Sequence, residues 1–168
     1  MPPLENSSEA SSLPLDSPGR RRLPLLLRRA WYGLNQAFRR RIAHTGVTPD
    51  QFTVLRTLLE GDSQGLTQRE LTLLMTSDPN TVASLLERMA ASGLVECKPH
   101  EQDRRAHRIR LLPAGERKYK EIRRIALTFQ TEILSVLPEE KREEFLENLG
   151  RVADACREAA EKVPKRKK

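Results

Sequence analysis

A short run of small and polar side chains at residues 79–84 has the chemistry needed to read nucleic-acid bases. An asparagine amide such as that of Asn80 can form two hydrogen bonds with adenine, and the methyl groups of Thr81 or Ala83 can contact the thymine methyl group. Pro79 suits the first turn of a helix, whose positive N-terminal end can also face a phosphate. In an isolated helix, simple solvation of the first turn would be the better interpretation. We expect the base-contacting set to be Pro79, Asn80, Thr81, Ala83 and Ser84.

A second group of suitable residues is basic and lies between Lys98 and Arg110, where the chain has five basic and two acidic residues. An arginine at the tip of such a segment can enter a narrow minor groove, where the negative potential is deepest. Asp103 can hold Arg105 by a bidentate ion pair. The other interpretation is a solvated turn with internal ion pairs. We expect the contacting set to be Lys98, Asp103, Arg104 and Arg105.

Phosphate contacts set the affinity and register of a protein on DNA rather than its sequence preference. Arg69 and Arg88 are the candidate phosphate clamps, although each could equally be an ordinary surface arginine. Thr67 and Gln68, which precede Arg69, complete the predicted phosphate-binding set.

Helix-capping signals predict the elements that must position these residues. Thr67 and Glu70 have the spacing of a capping box, which predicts a short helix ending near residue 76. Asp78 is the expected N-cap of the next helix, and Gly93 tolerates the left-handed conformation that often ends one. Two helices separated by a turn of a few residues have helix-turn-helix geometry.

Two short strands, at 94–98 and 108–111, are predicted after these helices, with a polar loop at 99–107 between them. A charged loop joining two strands directly after a helix-turn-helix makes a winged helix. Apolar residues at three- and four-residue spacing predict helices at 23–44, from Pro113 to Leu137, and at 139–162. A further helix is predicted to open at 48–50, with Thr48 as its cap and Pro49 in its first turn. The predicted fold class is therefore mainly α with a small β-wing (α+β).

The predicted organisation has one folded domain over residues 23–163. Within it, residues 48–112 form the winged-helix core, and helices at 23–44 and 114–162 flank it. Residues 1–22 are rich in serine and proline and are expected to be a disordered arm, with a basic tail at 164–168.

Composition argues against several other classes of protein. The chain has 168 residues and a net charge of +7, but five basic residues lie in its last seven positions, so charge alone is weak evidence. No apolar run is long enough to span a bilayer, and we expect a cytoplasmic protein. Cys97 and Cys156 form no C-x-x-C pair, and the three histidines lack metal-ligand spacing. Without a nucleophile motif or a glycine-rich phosphate loop, we expect no enzyme, metal or cofactor.

The order of these elements resembles the MarR family of winged helix-turn-helix transcriptional regulators. The resemblance covers about 23–163 and is carried by the stretches 66–71, 80–89, 93–95, 103–106 and 111–115. It implies that Arg104 or Arg105 enters the minor groove and that Asp103 supports it. Cys97, Leu112 and Ser84 depart from the usual family residues, and Ser84 is expected to alter base preference.

The helices that flank the core carry more apolar surface than a small winged domain can cover, which predicts a homodimer. The resemblance implies the same arrangement. Two recognition helices would then lie about 34 Å apart and read a pseudo-palindromic site on double-stranded DNA. The expected function is a sequence-specific regulator, most simply a repressor.

The resemblance also implies a cleft for a small aromatic or anionic effector. Candidate lining residues are Trp31, Phe38, His44 and Phe52, for which core and interface packing is the competing interpretation. An alternative function is a DNA-architectural dimer that binds by charge without effector control. A redox switch at Cys97, with a thiol pKa lowered by Lys98 and His100, is a further hypothesis.

Overall fold

The computed structural model describes residues 22–99 and 107–162 of the chain. Of the expected arm at 1–22, only residue 22 is described. The tail at 164–168 and the loop residues 103–105 lie outside the described residues. The elements in chain order are α1 (Leu23–Ile42), a 3-10 turn (Ala43–Thr45), α2 (Pro49–Glu60), β1 (Leu66–Thr67), α3 (Gln68–Leu74), α4 (Pro79–Ala91), β2 (Val95–Pro99), β3 (His107–Leu111), α5 (Pro113–Leu134) and α6 (Glu139–Lys162). The mainly α fold class with a small β-sheet is confirmed.

Local side-chain bonds explain how the chain passes from α1 to α2. The Thr45 hydroxyl donates to the Ile42 carbonyl oxygen at 2.6 Å and accepts from the Val47 N–H at 3.2 Å. Thr48 and Gln51 then form a reciprocal capping box at the start of α2. These bonds satisfy backbone groups that a helix end leaves open, so the boundary is specified by short-range sequence.

The helix-turn-helix is formed by α3 and α4, as the capping signals predicted. The Thr67 side chain caps α3 in a capping box with Glu70, and Asp78 caps α4. Thr76, in the turn between the helices, has a positive φ of 50°. Such a conformation is uncommon for a β-branched residue and makes the turn tight.

The three strands form one antiparallel sheet in the order β1-β3-β2. Strands β2 and β3 were predicted, and Cys97 pairs with Ile109 between them. Strand β1 was not predicted, because it has only two residues and Thr67 serves both as a strand residue and as the cap of α3. Leu66 pairs with Ile109, so β1 attaches the helix-turn-helix to the sheet.

The fully buried core between Ile42 and Ile122 is aliphatic. The end of α1, helices α2, α3 and α4, strands β2 and β3, and the first half of α5 contribute fully buried side chains. These residues are Ile42, Val54, Leu55, Leu71, Val82, Met89, Val95, Ile109 and Ile122. Burial of these side chains stabilises the arrangement that presents α3 and α4 to solvent.

The described chain divides into two compact units. The boundary between them falls after Arg123, within α5. The first unit contains the helix-turn-helix and the sheet. In the second unit, α6 has no buried residue, and Phe145 and Leu149 on it remain 44% and 39% exposed. The organisation of 23–163 as one domain stays a prediction.

Candidate nucleic-acid interface

One side of α4 is buried and the opposite side is open. Val82, Leu85 and Met89 lie in the core, whereas Asn80 and Ser84 are exposed. At about 100° per residue, Asn80, Thr81, Ser84 and Arg88 fall within an arc of roughly 100°, away from the buried side. The sequence-predicted base readers other than Pro79 and Ala83 therefore share one exposed face.

Asp78 occupies the N-terminal end of α4. Its Oδ1 accepts hydrogen bonds from the N–H groups of Asn80 at 3.1 Å and Thr81 at 2.9 Å, and its Oδ2 accepts from the Thr81 hydroxyl. The hydrogen bond from the Thr81 hydroxyl, followed by that from the Thr81 N–H, lowers the pKa of the Asp78 carboxyl. A charged carboxylate therefore already holds the helix N–H groups that were expected to be able to face a phosphate.

Asn80 and Ser84 differ from Thr81 in their free polar groups. Within the described part of the chain, neither the Asn80 amide nor the Ser84 hydroxyl has a side-chain hydrogen bond. Both are exposed. They can therefore bond to base edges without first breaking a bond inside the protein.

The start of α3 is held together by its own side chains. The Thr67 hydroxyl donates to Glu70 Oε2 at 2.8 Å and accepts from the Glu70 N–H, while the Thr67 N–H donates to Glu70 Oε2 at 2.7 Å. The backbone bond from Thr67, followed by the side-chain bond, lowers the pKa of the Glu70 carboxyl. The structure thus places Thr67, one of the predicted phosphate ligands, in a capping role.

Gln68 links the two helices of the motif. Its Nε2 donates to the carbonyl oxygen of Pro79, in the first turn of α4, at 3.1 Å. The bond fixes the end of α4 that carries Asn80. Gln68 was predicted as a phosphate ligand, and the structure shows that its amide also positions the predicted reading helix.

Arg69 and Arg88 are the predicted phosphate residues whose charges remain available. Both are exposed, and their guanidinium groups form no hydrogen bond or ion pair within the described ranges. Arg88 and Arg39 also line a surface cavity of about 260 Å³, together with Thr48, Asp50, Gln51 and Leu85. The structure leaves both arginines free to contact an anion.

Two arginines of β3 fix the sheet to the loop before β1. Arg108 Nη1 donates to the Gly65 carbonyl oxygen at 2.9 Å. Arg110 donates to the Gln64 carbonyl oxygen at 2.6 Å and to its side-chain oxygen at 3.1 Å. Two of the five basic residues between Lys98 and Arg110 therefore hold the fold together through these hydrogen bonds. Sequence reasoning missed Gln64 and Gly65, because no local pattern marks partners more than 40 residues apart.

Lys98 is the predicted wing residue that lies within the described chain. Its ammonium group forms an ion pair with Glu96 at 2.9 Å, two residues earlier on β2. Asp103, Arg104 and Arg105 lie outside the described residues, so their roles stay predictions.

Cys97 is exposed, but its surroundings do not favour the thiolate. Partial burial raises the pKa of the Cys97 thiol. Lys98 follows Cys97 on the same strand, so its side chain leaves the opposite face of the sheet, where Glu96 engages it. The expected lowering of the Cys97 pKa by Lys98 is therefore wrong, and His100 lies outside the described residues.

The four predicted effector-cleft residues are found in different surroundings. Phe38 packs edge-on against Phe52 with ring centroids 5.5 Å apart, and Phe52 stacks on Tyr119 at 5.7 Å. Trp31 is 64% exposed. His44 lies 3.9 Å from a carboxylate oxygen of Glu121. Phe38 and Phe52 thus form a packed aromatic cluster with Tyr119, which sequence reasoning did not connect to them.

Neither membrane insertion nor metal binding has support in the described chain. Its helices are all too short or too polar to cross a bilayer. Across 22–99 and 107–162, no group of three or more potential ligands from histidine, cysteine, aspartate and glutamate is placed to hold a metal ion.

The helix-turn-helix followed by an antiparallel sheet defines a winged-helix protein. The MarR family profile matches residues 45–106, which contain α2, α3, α4 and β2. The HTH-type transcriptional regulator BilQ of Clostridium symbiosum is 28% identical over 98 residues, which cover 56% of this chain and 68% of BilQ. Residues 45–106 thus match the MarR family, and the chain is similar to DNA-binding transcriptional regulators of the HTH type.

Two solved structures show how far the similarity extends. The regulator MOSR of M. tuberculosis, in complex with DNA, is 27% identical with a TM-score of 0.67, and the match covers 82% of this chain and 99% of MOSR. PcaV of Streptomyces coelicolor, in complex with its natural ligand, is 26% identical with a TM-score of 0.68 over 86% of this chain and 98% of PcaV. The similarity thus includes the long helices outside the profile match.

Proposed function

We propose that the protein is a homodimeric, sequence-specific regulator of transcription that acts as a repressor and whose affinity for its operator is modulated by a small effector. An enzymatic activity is not part of this proposal, since the related BilQ is a transcriptional regulator. The observation that carries the proposal is the exposed face of α4. There, Asn80 and Ser84 present unbonded polar groups opposite a fully buried side.

The electrostatics of the helix-turn-helix support binding to duplex DNA. Arg69 on α3 and Arg88 on α4 are exposed, and their guanidinium groups form no hydrogen bond or ion pair within the described residues. Arginine contacts to phosphates would set the position of α4 in the major groove, while Asn80 and Ser84 would contact base edges. The related MOSR forms a complex with DNA, which supports DNA binding by this chain as well.

A homodimer is supported by apolar side chains that each unit leaves exposed. On α1, Trp31 and Leu34 are exposed, and α6 buries none of its 24 residues. Burying such surface against a second copy is favourable at about 25 cal/mol per Å². Light scattering after size exclusion should give twice the chain mass at micromolar concentration, and a stable monomer would contradict this part of the proposal.

Effector control is supported by the ligand complex of the related PcaV. For this chain, the cleft residues remain Trp31, Phe38, His44 and Phe52. A ligand can shift DNA affinity only if it binds one spacing of the two reading helices more tightly than the other. A thermal-shift screen of aromatic carboxylates, followed by operator titration with each hit, tests this point.

The experiment that tests the proposed function is selection of bound DNA from a random pool. We expect an enriched pseudo-palindrome whose half-sites lie one helical turn apart. The architectural alternative predicts no enriched sequence and equal affinity for all duplexes, with a steep fall as salt is raised. That result would overturn the proposed regulator.

A further inference from the structure

The exposed face of α4, here called the reading face, carries three of the predicted base-contacting residues, Asn80, Thr81 and Ser84. These three side chains differ in whether their polar groups are already hydrogen-bonded. The Asn80 amide and the Ser84 hydroxyl have no side-chain hydrogen bond within the described chain. The Thr81 hydroxyl instead donates to Asp78 Oδ2. Thr81 is therefore the member of this set whose polar group is already engaged.

Two bonds to the same carboxylate fix the Thr81 side chain. Its N–H donates to Asp78 Oδ1 at 2.9 Å, and its hydroxyl donates to Oδ2 of the same group. A threonine side chain has a single rotatable χ1, so holding the hydroxyl also determines the direction of the methyl group. Thr81 is exposed, and its methyl group is the part of its side chain that takes no part in the bonds to Asp78.

A methyl group held in one direction would have a specific complement if α4 enters the major groove. The C5 methyl group of thymine lies in the major groove, and a threonine methyl contacts it favourably. Such a contact needs no hydrogen bond from the protein, so the bond to Asp78 is kept when DNA binds.

We propose that Thr81, held by Asp78, selects a pyrimidine with a C5 methyl group at one position of each half-site. This inference rests on the proposed function, because it requires α4 to enter the major groove. The group that Thr81 would recognise is the C5 methyl group, which thymine and 5-methylcytosine both carry. Asn80 and Ser84 are left to read hydrogen-bonding groups at neighbouring positions.

The test replaces each thymine of the selected operator by deoxyuridine, which removes one methyl group and keeps base pairing. With the wild-type protein we expect one position per half-site at which the substitution weakens binding about fourfold, the effect of one buried methyl group. Thr81→Ser keeps the hydroxyl and its bond to Asp78 but lacks the methyl group. At that position, Thr81→Ser should bind the thymine and deoxyuridine operators equally.

Two matched arms complete the experiment. Thr81→Val keeps a methyl group and loses the hydroxyl, so it should retain a preference for thymine over deoxyuridine. Replacing the same thymine by cytosine or by 5-methylcytosine separates the sources of the methyl group. Wild type should bind the 5-methylcytosine operator about fourfold more tightly than the cytosine operator, and Thr81→Ser should not distinguish them.

The outcomes separate this inference from the proposed function. If an operator is selected but Thr81→Ser keeps the full deoxyuridine penalty, the methyl group of Thr81 is not the reader and the inference is overturned alone. If no deoxyuridine substitution weakens wild-type binding, it is overturned as well. A random pool that yields no preferred sequence would overturn the proposed function and, with it, this inference.

Discussion

The Nε2 atom of Gln68 donates a 3.1 Å hydrogen bond to the carbonyl oxygen of Pro79. The donor is the first residue of α3, and the acceptor is the first residue of α4. The bond crosses the turn of the helix-turn-helix and holds the end of α4 from which Asn80 projects. Orientation of the reading face therefore depends on an amide that does not belong to that face.

Gln68→Ala removes this bond and should weaken operator binding. We expect a loss of about 1 kcal/mol in binding free energy, the typical net value of one hydrogen bond, and little change in thermal stability because the site is exposed. Fluorescence anisotropy with the selected operator measures the effect. Gln64→Ala is the matched control, because it also removes a glutamine side chain, but one that accepts a hydrogen bond from Arg110 on β3. Equal operator binding by Gln68→Ala and wild type would contradict the role assigned to Gln68.

Gly65 should be intolerant of a side chain. Its φ is +93°, and an added Cβ would lie 2.5 Å from the carbonyl oxygen of Ile109. Gly93 is the matched control, since its φ is +67° and an added Cβ there would meet open space. We expect Gly93→Ala to cost about 1–2 kcal/mol from backbone strain alone, and Gly65→Ala to cost about 1–3 kcal/mol more.

Urea unfolding at one protein concentration measures both glycine variants. If the two substitutions cost the same free energy of unfolding, close contact between the loop and β3 is not important. Because Gly65 also accepts from Arg108, displacement of the loop should be accompanied by loss of that bond.

Acid should destabilise the helix-turn-helix through its two capping carboxylates. The pKa values of Glu70 and Asp78 are both lowered in the folded protein, chiefly by bonds from Thr67 and Thr81 respectively. Each group therefore stabilises the fold above its unfolded pKa, near 4, and loses that contribution as pH falls through the folded value.

The pH dependence of the free energy of unfolding between pH 6 and pH 3 tests this linkage. Asp78→Asn can still cap α4 but cannot ionise, so its stability should fall less steeply than that of the wild type. Glu70→Gln should behave in the same way at α3. Curves parallel to the wild type in both variants would show that these carboxylates are not linked to folding.

Cys97 should react slowly with thiol reagents. Although Cys97 is exposed, partial burial of its thiol raises the pKa, so the fraction of reactive thiolate at neutral pH is reduced. In a Cys156→Ser background, the pH–rate profile of alkylation should have a higher midpoint for the folded protein than for the same protein in urea. A lower midpoint in the folded state would restore the hypothesis of a redox switch at this thiol.

Sequence reasoning succeeded where structure depends on neighbouring residues. The caps of α2, α3 and α4 at Thr48, Thr67 and Asp78 were all predicted, because a cap and its acceptor or donor lie within three residues. The order of helices and the two longer strands followed from the same kind of pattern. The end of α5 at Leu134 was placed three residues too late.

The missed features depend on distant parts of the chain. Strand β1 exists because Leu66 meets Ile109, and the arginines of β3 meet a loop more than 40 residues earlier. The stack of Phe52 on Tyr119 likewise joins α2 to α5. No local period or cap marks such pairs, so arginines that support the structure look the same in sequence as arginines that bind DNA.

In the proposed mode of binding, Asn80 and Ser84 on α4 read bases. The ratio of affinities for the selected operator and a scrambled duplex tests this role most directly. At one fixed salt concentration, wild type should prefer the operator by about 1000-fold or more. The Asn80→Ala, Ser84→Ala double variant should keep its affinity for the scrambled duplex and lose most of the preference. An unchanged ratio in the double variant would contradict the account.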